Sequence, residues 1–103
     1  MTTQELFLEV ENWARERGIH KPENKNRQAL KVMEEVGETM AALARGNKDE
    51  IKDGIGDSIV TLIILAMQCG FTAHDCLDAA YSEIAGRKGQ LIDGIFVKDE
   101  NLR

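Results

Sequence analysis

A single proline, Pro22, interrupts the 103 residues, so helices can run unbroken on both sides of it. Five aromatic residues are few for a chain of this length, and the apolar spacing is helical throughout. Two cysteines, Cys69 and Cys76, read as reduced thiols packed as small hydrophobes near helix ends. Basic charge is in deficit: 13 Lys and Arg against 18 Asp and Glu give a net charge of −5. Nonspecific binding to a nucleic-acid backbone needs basic patches, so no nucleic-acid partner is expected. Phosphate ligands that arrive with a metal ion are not excluded. No apolar run is long enough for lipid, since about ten residues lie between Asp57 and Cys69 and a span needs roughly 20. The opening MTTQELFLEV mixes acids with apolar residues, unlike a signal peptide. These absences point to one cytoplasmic domain over residues 1–103, with no membrane segment.

What is present is a succession of helix signals. Thr2 and Glu5 form a capping box, and Leu6, Phe7, Val10, Trp13 and Ala14 recur at helical spacing up to Gly18. The loop from Ile19 to Asn26 is too polar to pack, and His20 reads as a solvated loop histidine. Arg27–Arg45 is the second helix, with Met33, Val36, Met40, Leu43 and Ala44 as its apolar face. Gly37 inside it is costly by about 1 kcal/mol relative to alanine, which implies close approach of a neighbour there. Asn47 to Glu50 reads as a second capping box, opening a central helix that Gly70 ends. Thr72 starts a fourth helix, with Cys76, Leu77, Ala80, Tyr81, Ile84 and Ala85 apolar and His74 on the surface, closed by Gly86. From Arg87 to Arg103 the chain reads as an extended tail.

The central helix sets the chemical question. Ile59 to Met67 is apolar on nearly every side, and such a helix is normally buried. Asp57 then stands where a charge enters a core, and a buried carboxylate needs hydrogen bonds or a cation. The second helix carries Lys31, Glu34, Glu35 and Glu38 on one stripe, with Lys31–Glu35 the one compensating pair. The link around Gly46-Asn47 is about two residues, so the two helices are antiparallel neighbours and their acids come level. Glu34, Glu35, Glu38, Asp53 and Asp57 then form one carboxylate patch, which fits Mg²⁺ or Mn²⁺ because every donor is a hard oxygen. A di-iron bundle needs Glu-x-x-His pairs, and three residues after Glu35 and Asp57 stand Glu38 and Val60.

Glu34-Glu35-Val36-Gly37-Glu38, followed eighteen residues later by Gly56-Asp57, resembles the E-E-x-x-E … E-x-x-D pattern of the MazG-like nucleoside triphosphate pyrophosphohydrolases. Trp13, Lys31 and the ending Arg87-Lys88-Gly89 … Gly94, Phe96, Lys98 are similar to the short, single-domain members. One departure stands out: the glutamate of the second motif is Gly54 here, with Asp53 one residue earlier and Glu50 in reserve.

The resemblance implies an all-α, four-helix bundle with a short extended C-terminal tail, completed by assembly into a homodimer or homotetramer. It implies hydrolysis of a nucleoside triphosphate to monophosphate and pyrophosphate. Glu35, Glu38, Asp53 and Asp57 would hold Mg²⁺, with Mn²⁺ as a substitute. Glu34, left free by the metals, would orient or deprotonate the water. Lys31, Arg87, Lys88 and Lys98 would contact phosphates, and Trp13 and Asn24 would line a base pocket. The competing expectation is a non-enzymatic helical dimerisation or adaptor module with an acidic surface.

Overall fold

The structure, a computed structural model, describes residues 1–102; Arg103, the last residue of the expected tail, lies outside the described residues. Four helices follow in order: α1 (Thr3–Glu16), α2 (Lys25–Arg45), α3 (Lys48–Gln68) and α4 (Ala73–Ile84). A two-stranded antiparallel sheet of β1 (Gly89–Ile92) and β2 (Ile95–Lys98) closes the chain. The fold is all-α, as expected, and no single helix among the described residues is long and apolar enough to cross a membrane.

The helix ends follow local chemistry. Thr2 caps α1 with the full reciprocal box, its Oγ1 accepting from the Glu5 N–H at 3.1 Å while its own N–H donates to Glu5 Oε1. A short 3₁₀ turn, Pro22–Asn24, runs directly into α2, which therefore starts at Lys25 and not at Arg27. Gly46 ends α2 in the left-handed region at φ 70°, and the Asn47 N–H donates back to the Ala42 carbonyl. That bond explains why the second capping box is only half formed. Asn47 Oδ1 accepts from the Glu50 N–H, but the Asn47 N–H is already used and Glu50 turns to Arg45.

α2 and α3 form the principal pair, and their seam is small and polar. Gly54 of α3 lies so close to α2 that a Cβ there would sit 2.3 Å from Thr39 Oγ1 and 3.1 Å from its Cα. Thr39 Oγ1 donates to the Glu35 carbonyl, Ser58 Oγ to the Gly54 carbonyl, and Gln28 Nε2 to the Thr61 carbonyl. Thr39 and Thr61 are buried although polar, because the backbone satisfies them. The close approach expected at Gly37 is absent: a Cβ there would meet open space, and Gly54 takes that role.

Several burial expectations are overturned. The apolar stripe of α2 is not its packed face, for Met33 is 72% exposed and Leu43 59%. α2 instead turns the small Thr39 and Ala42 to α3, which lets the helices come near, and Gln28 reaches across to the Thr61 carbonyl. Asp57 is exposed, so it does not enter a core within one chain. Ile63 and Ile64 are buried, whereas Ile55, Ile59 and Leu62 are about half exposed. Cys69 and Cys76 are exposed thiols, not packed ones. His20 is half-buried, and its Nδ1 is enclosed without a hydrogen-bond partner because the chain folds back there, with Gln68 Nε2 donating to the Ile19 carbonyl at 2.7 Å.

The tail is more ordered than an extended segment. Asp93 at φ 51° and Gly94 at φ 77° make a two-residue turn whose twist suits a hairpin, an Asp-Gly signal the sequence carried. Leu91 pairs with Phe96 and Ile92 with Ile95, and the Phe96 ring lies over Gly89 where a Cβ would stand.

Candidate active site: a carboxylate cleft between two helices

The turn at Gly46-Asn47 brings the acids of α2 and α3 level, as the link length predicts. Glu35, Glu38, Glu50, Asp53 and Asp57 line one cleft of about 290 Å³ together with Ala42, Arg45 and Gly54. Glu35 is the most enclosed of its ion-paired acids, its side chain 13% exposed and bonded to Lys31 Nζ at 3.4 Å. Lys31 thus tempers the acids from within its own helix, as the i,i+4 spacing suggests. Glu50 pairs with the Arg45 guanidinium at 2.5 Å, while no ion pair engages Glu38, Asp53 or Asp57 among the described residues.

Hard oxygen donors on both walls suit a hard cation, and the cleft contains no His or Cys. Among the described residues no three acidic, His or Cys side chains converge on one point. Mg²⁺ keeps several waters and commonly takes one or two carboxylates plus substrate phosphates.

Glu34 is exposed on α2 and does not line this cleft, though it stands one turn before Glu38 on the same stripe. Arg87, Lys88 and Lys98 do come together, in a separate hollow with Glu83, Gly86, Asp99 and Glu100. That hollow shares no wall with the carboxylate cleft. Trp13 lines a third, mainly apolar hollow of about 430 Å³ with Leu6, Val10 and Val60, rimmed by Glu9, Asn12 and Glu16. Val60 is three residues beyond Asp57, so this hollow adjoins the cleft along α3. The Arg17 guanidinium covers one face of Trp13 at 4.3 Å from the ring centre. Asn24 is exposed at the start of α2 and lines neither hollow.

Sequence reasoning missed two features of the cleft. Arg45, in the last turn of α2, faces Glu50 five residues on, a pairing readable from the short turn between them. Glu50-Ile51-Lys52-Asp53 also has E-x-x-D spacing, one turn upstream of Gly54 and Asp57, and both its acids line the cleft.

Four helices, two of which hold level carboxylates around a cleft, define an all-α protein with an acidic cleft. Comparison with known proteins narrows the class: the model of the MazG nucleotide pyrophosphohydrolase domain matches residues 23–91, about two thirds of the chain. The chain belongs to this family. It is also 40% identical over 65 residues to an uncharacterised 18.2 kDa protein of the rep–hol intergenic region of Haemophilus phage HP1 (strain HP1c1). That match covers 63% of this chain and 40% of the phage protein. No solved structure matches.

Proposed function

We propose that the protein hydrolyses a nucleoside or deoxynucleoside triphosphate to the monophosphate and pyrophosphate. The supporting observation is the cleft in which Glu35, Glu38, Asp53 and Asp57 face one another across two antiparallel helices. These four would hold Mg²⁺, or Mn²⁺ in its place. The ions, once bound, would neutralise the triphosphate and polarise the α-phosphorus.

Glu35 and Glu38 present their carboxylates from successive turns of α2, and Asp53 and Asp57 do so from α3. Asp53 is the better substitute for the glutamate missing at Gly54, since Glu50 is engaged by Arg45. Glu34, on the stripe of Glu38 and without an ion pair among the described residues, accepts a proton from the attacking water. The water oxygen bonds to the α-phosphorus, the bond to the α–β bridging oxygen breaks, and that oxygen leaves with pyrophosphate. Lys31 tempers the acids and reaches a phosphate; Arg87, Lys88 and Lys98 supply further phosphate contacts. The base stacks on the face of Trp13 that Arg17 leaves open, beside Asp57 along α3.

The protein works in the cytoplasm, which its two exposed free thiols suit, as a homodimer or homotetramer. The bare apolar stripes of α2 and α3 support that assembly. They would also serve a non-enzymatic dimerisation module, which would have no reason to bind magnesium. Hydrolysis of a panel of nucleoside triphosphates in ¹⁸O-labelled water tests the reading. Monophosphate carrying the label, with unlabelled pyrophosphate, is the expected result; orthophosphate and diphosphate would refute the reaction.

A further inference from the structure

The hollow beside Trp13 carries a pattern of polar groups that apolar packing does not explain. Glu9, Asn12, Trp13 and Glu16 stand at i, i+3, i+4 and i+7 on α1, one face of the helix. The volume of about 430 Å³ falls within the ~300–1,000 Å³ of small-molecule sites. Arg15 fixes how Asn12 can be used. Its Nη1 lies 3.1 Å from Asn12 Oδ1, and a guanidinium only donates, so the amide oxygen is taken and the NH₂ group is left to donate. Glu9 makes no ion pair among the described residues. Glu16 has Arg17 Nη1 at 3.9 Å, and that nitrogen already donates to the Trp13 carbonyl. The rim therefore offers one donor group beside carboxylates that only accept.

We propose that this hollow selects guanine, with Glu9 and Asn12 reading the edge of the base stacked on Trp13. The Watson–Crick edge of guanine presents one acceptor, O6, followed by two donors, N1–H and N2–H. Asn12 Nδ2 donates to O6, and the two Glu9 oxygens accept from N1–H and N2–H in charge-assisted bonds. No other common base supplies two adjacent donors to a carboxylate. Adenine and cytosine place an unprotonated ring nitrogen next to the amino group, and its lone pair would face a Glu9 oxygen. Uracil and thymine flank a single N–H with two carbonyl oxygens, which sets like partial charges against the carboxylate. Glu16, one turn beyond Asn12, adds negative potential that favours the donor-rich edge. Val60 lines the same hollow three residues after Asp57, a rise of about 4.5 Å along α3. A ribose covers that separation, so a base on Trp13 leaves its phosphates at the carboxylate cleft.

Guanine preference in turnover rests on the proposed hydrolysis, whereas guanine binding at Trp13 does not, and two measurements separate them. Trp13 is the chain's single tryptophan, so its fluorescence reports on this hollow. The first measurement titrates it, without metal, with nucleoside monophosphates, which hold no anhydride bond to cleave. GMP should bind about tenfold more tightly than AMP, CMP or UMP, the scale of one bidentate base contact. IMP, which lacks the 2-amino group, should fall between. Glu9→Gln, at an exposed position, puts an NH₂ donor in place of one acceptor and should bring GMP to the level of AMP. No response of Trp13, equal affinity for the five, or a GMP preference that survives Glu9→Gln would overturn the proposal. In the second, kcat/KM for GTP should exceed that for ATP, CTP and UTP by about tenfold, and the ratio should approach one in Glu9→Gln. Equal turnover of the four would overturn guanine selection and leave hydrolysis standing. Selective binding of GMP with no triphosphate cleaved would uphold guanine selection and refute hydrolysis.

Discussion

The two sides of the α2–α3 pair follow opposite rules. On one side Glu35, Glu38, Asp53 and Asp57 crowd like charges around a cleft, an arrangement that folding alone does not favour. On the other, Met33, Val36, Met40 and Leu43 share a stripe about 80° wide on α2 and stand in water, as do Ile55, Ile59 and Leu62 on α3. Between them runs the polar seam of Gln28, Thr39, Ser58 and Thr61, closed at Gly54. The two sides differ in what one chain leaves unmatched: Glu38, Asp53 and Asp57 have no ion pair among the described residues, and the stripe has no apolar cover.

The sharpest way to break this comparison is to damage one side and watch the other. Glu38→Gln removes a charge from the cleft while leaving the apolar stripe untouched. Turnover should fall at least about a thousandfold, near 4 kcal/mol of barrier, with helicity by circular dichroism and mass by light scattering unchanged. Met40→Asp is the converse. It places a charge in the bare stripe, and the assembly should dissociate to monomer in light scattering. Retention of a dimer by Met40→Asp would remove the stripe from the interface.

The seam offers a test of intermediate size. Restoring the family glutamate by Gly54→Glu should not restore a site. Its Cβ would collide with Thr39, a backbone-level overlap of the kind that costs about 1–3 kcal/mol. Urea denaturation should show that loss, and Thr39→Gly in the same chain should recover part of it. A stable, more active Gly54→Glu would show that the helices separate easily and that the glycine is incidental.

The seam also marks where reading the sequence succeeded and where it could not. The acids were legible because helix pitch and a two-residue link are enough to bring them level. The capping boxes at Thr2 and Asn47 differ for a reason invisible in sequence, the carbonyl of Ala42 occupying the Asn47 N–H. The packed face of α2 was misread because hydrophobicity suggests Met33 and Met40, whereas Gly54 requires small partners such as Thr39. Asp57 was expected in a core because α3 is apolar all round, yet one chain has too few helices to enclose it. The hairpin is legible only in Asp93-Gly94, because the apolar residues on either side give no helical spacing and no more than an extended tail.

Within the cleft the acids themselves divide. Asp53 is unpaired among the described residues and Glu50 is held by Arg45, so Asp53→Asn should lower turnover about tenfold, or 1.4 kcal/mol, while Glu50→Gln changes little. The reverse ranking would give Glu50 the role and make Arg45 its gate.

The smallest expected effect concerns binding without chemistry. A cation that binds the folded chain and not the unfolded one stabilises it by about 1 kcal/mol at five times its dissociation constant. For a domain near this size that raises the melting temperature by about 4–8 °C. Asp57 is exposed, so its neutralisation leaves no buried charge behind, and Asp57→Asn should melt close to wild type without metal. With Mg²⁺ or Mn²⁺ the two should part, wild type rising and the variant staying nearly where it was. Met40→Asp, altered only on the apolar side, should keep the metal-induced rise of whatever species it forms. An equal shift in wild type and Asp57→Asn would remove Asp57 from the ligand set. Loss of the shift in Met40→Asp would mean that the second copy completes the metal site, and that the two sides of the helix pair are coupled through assembly.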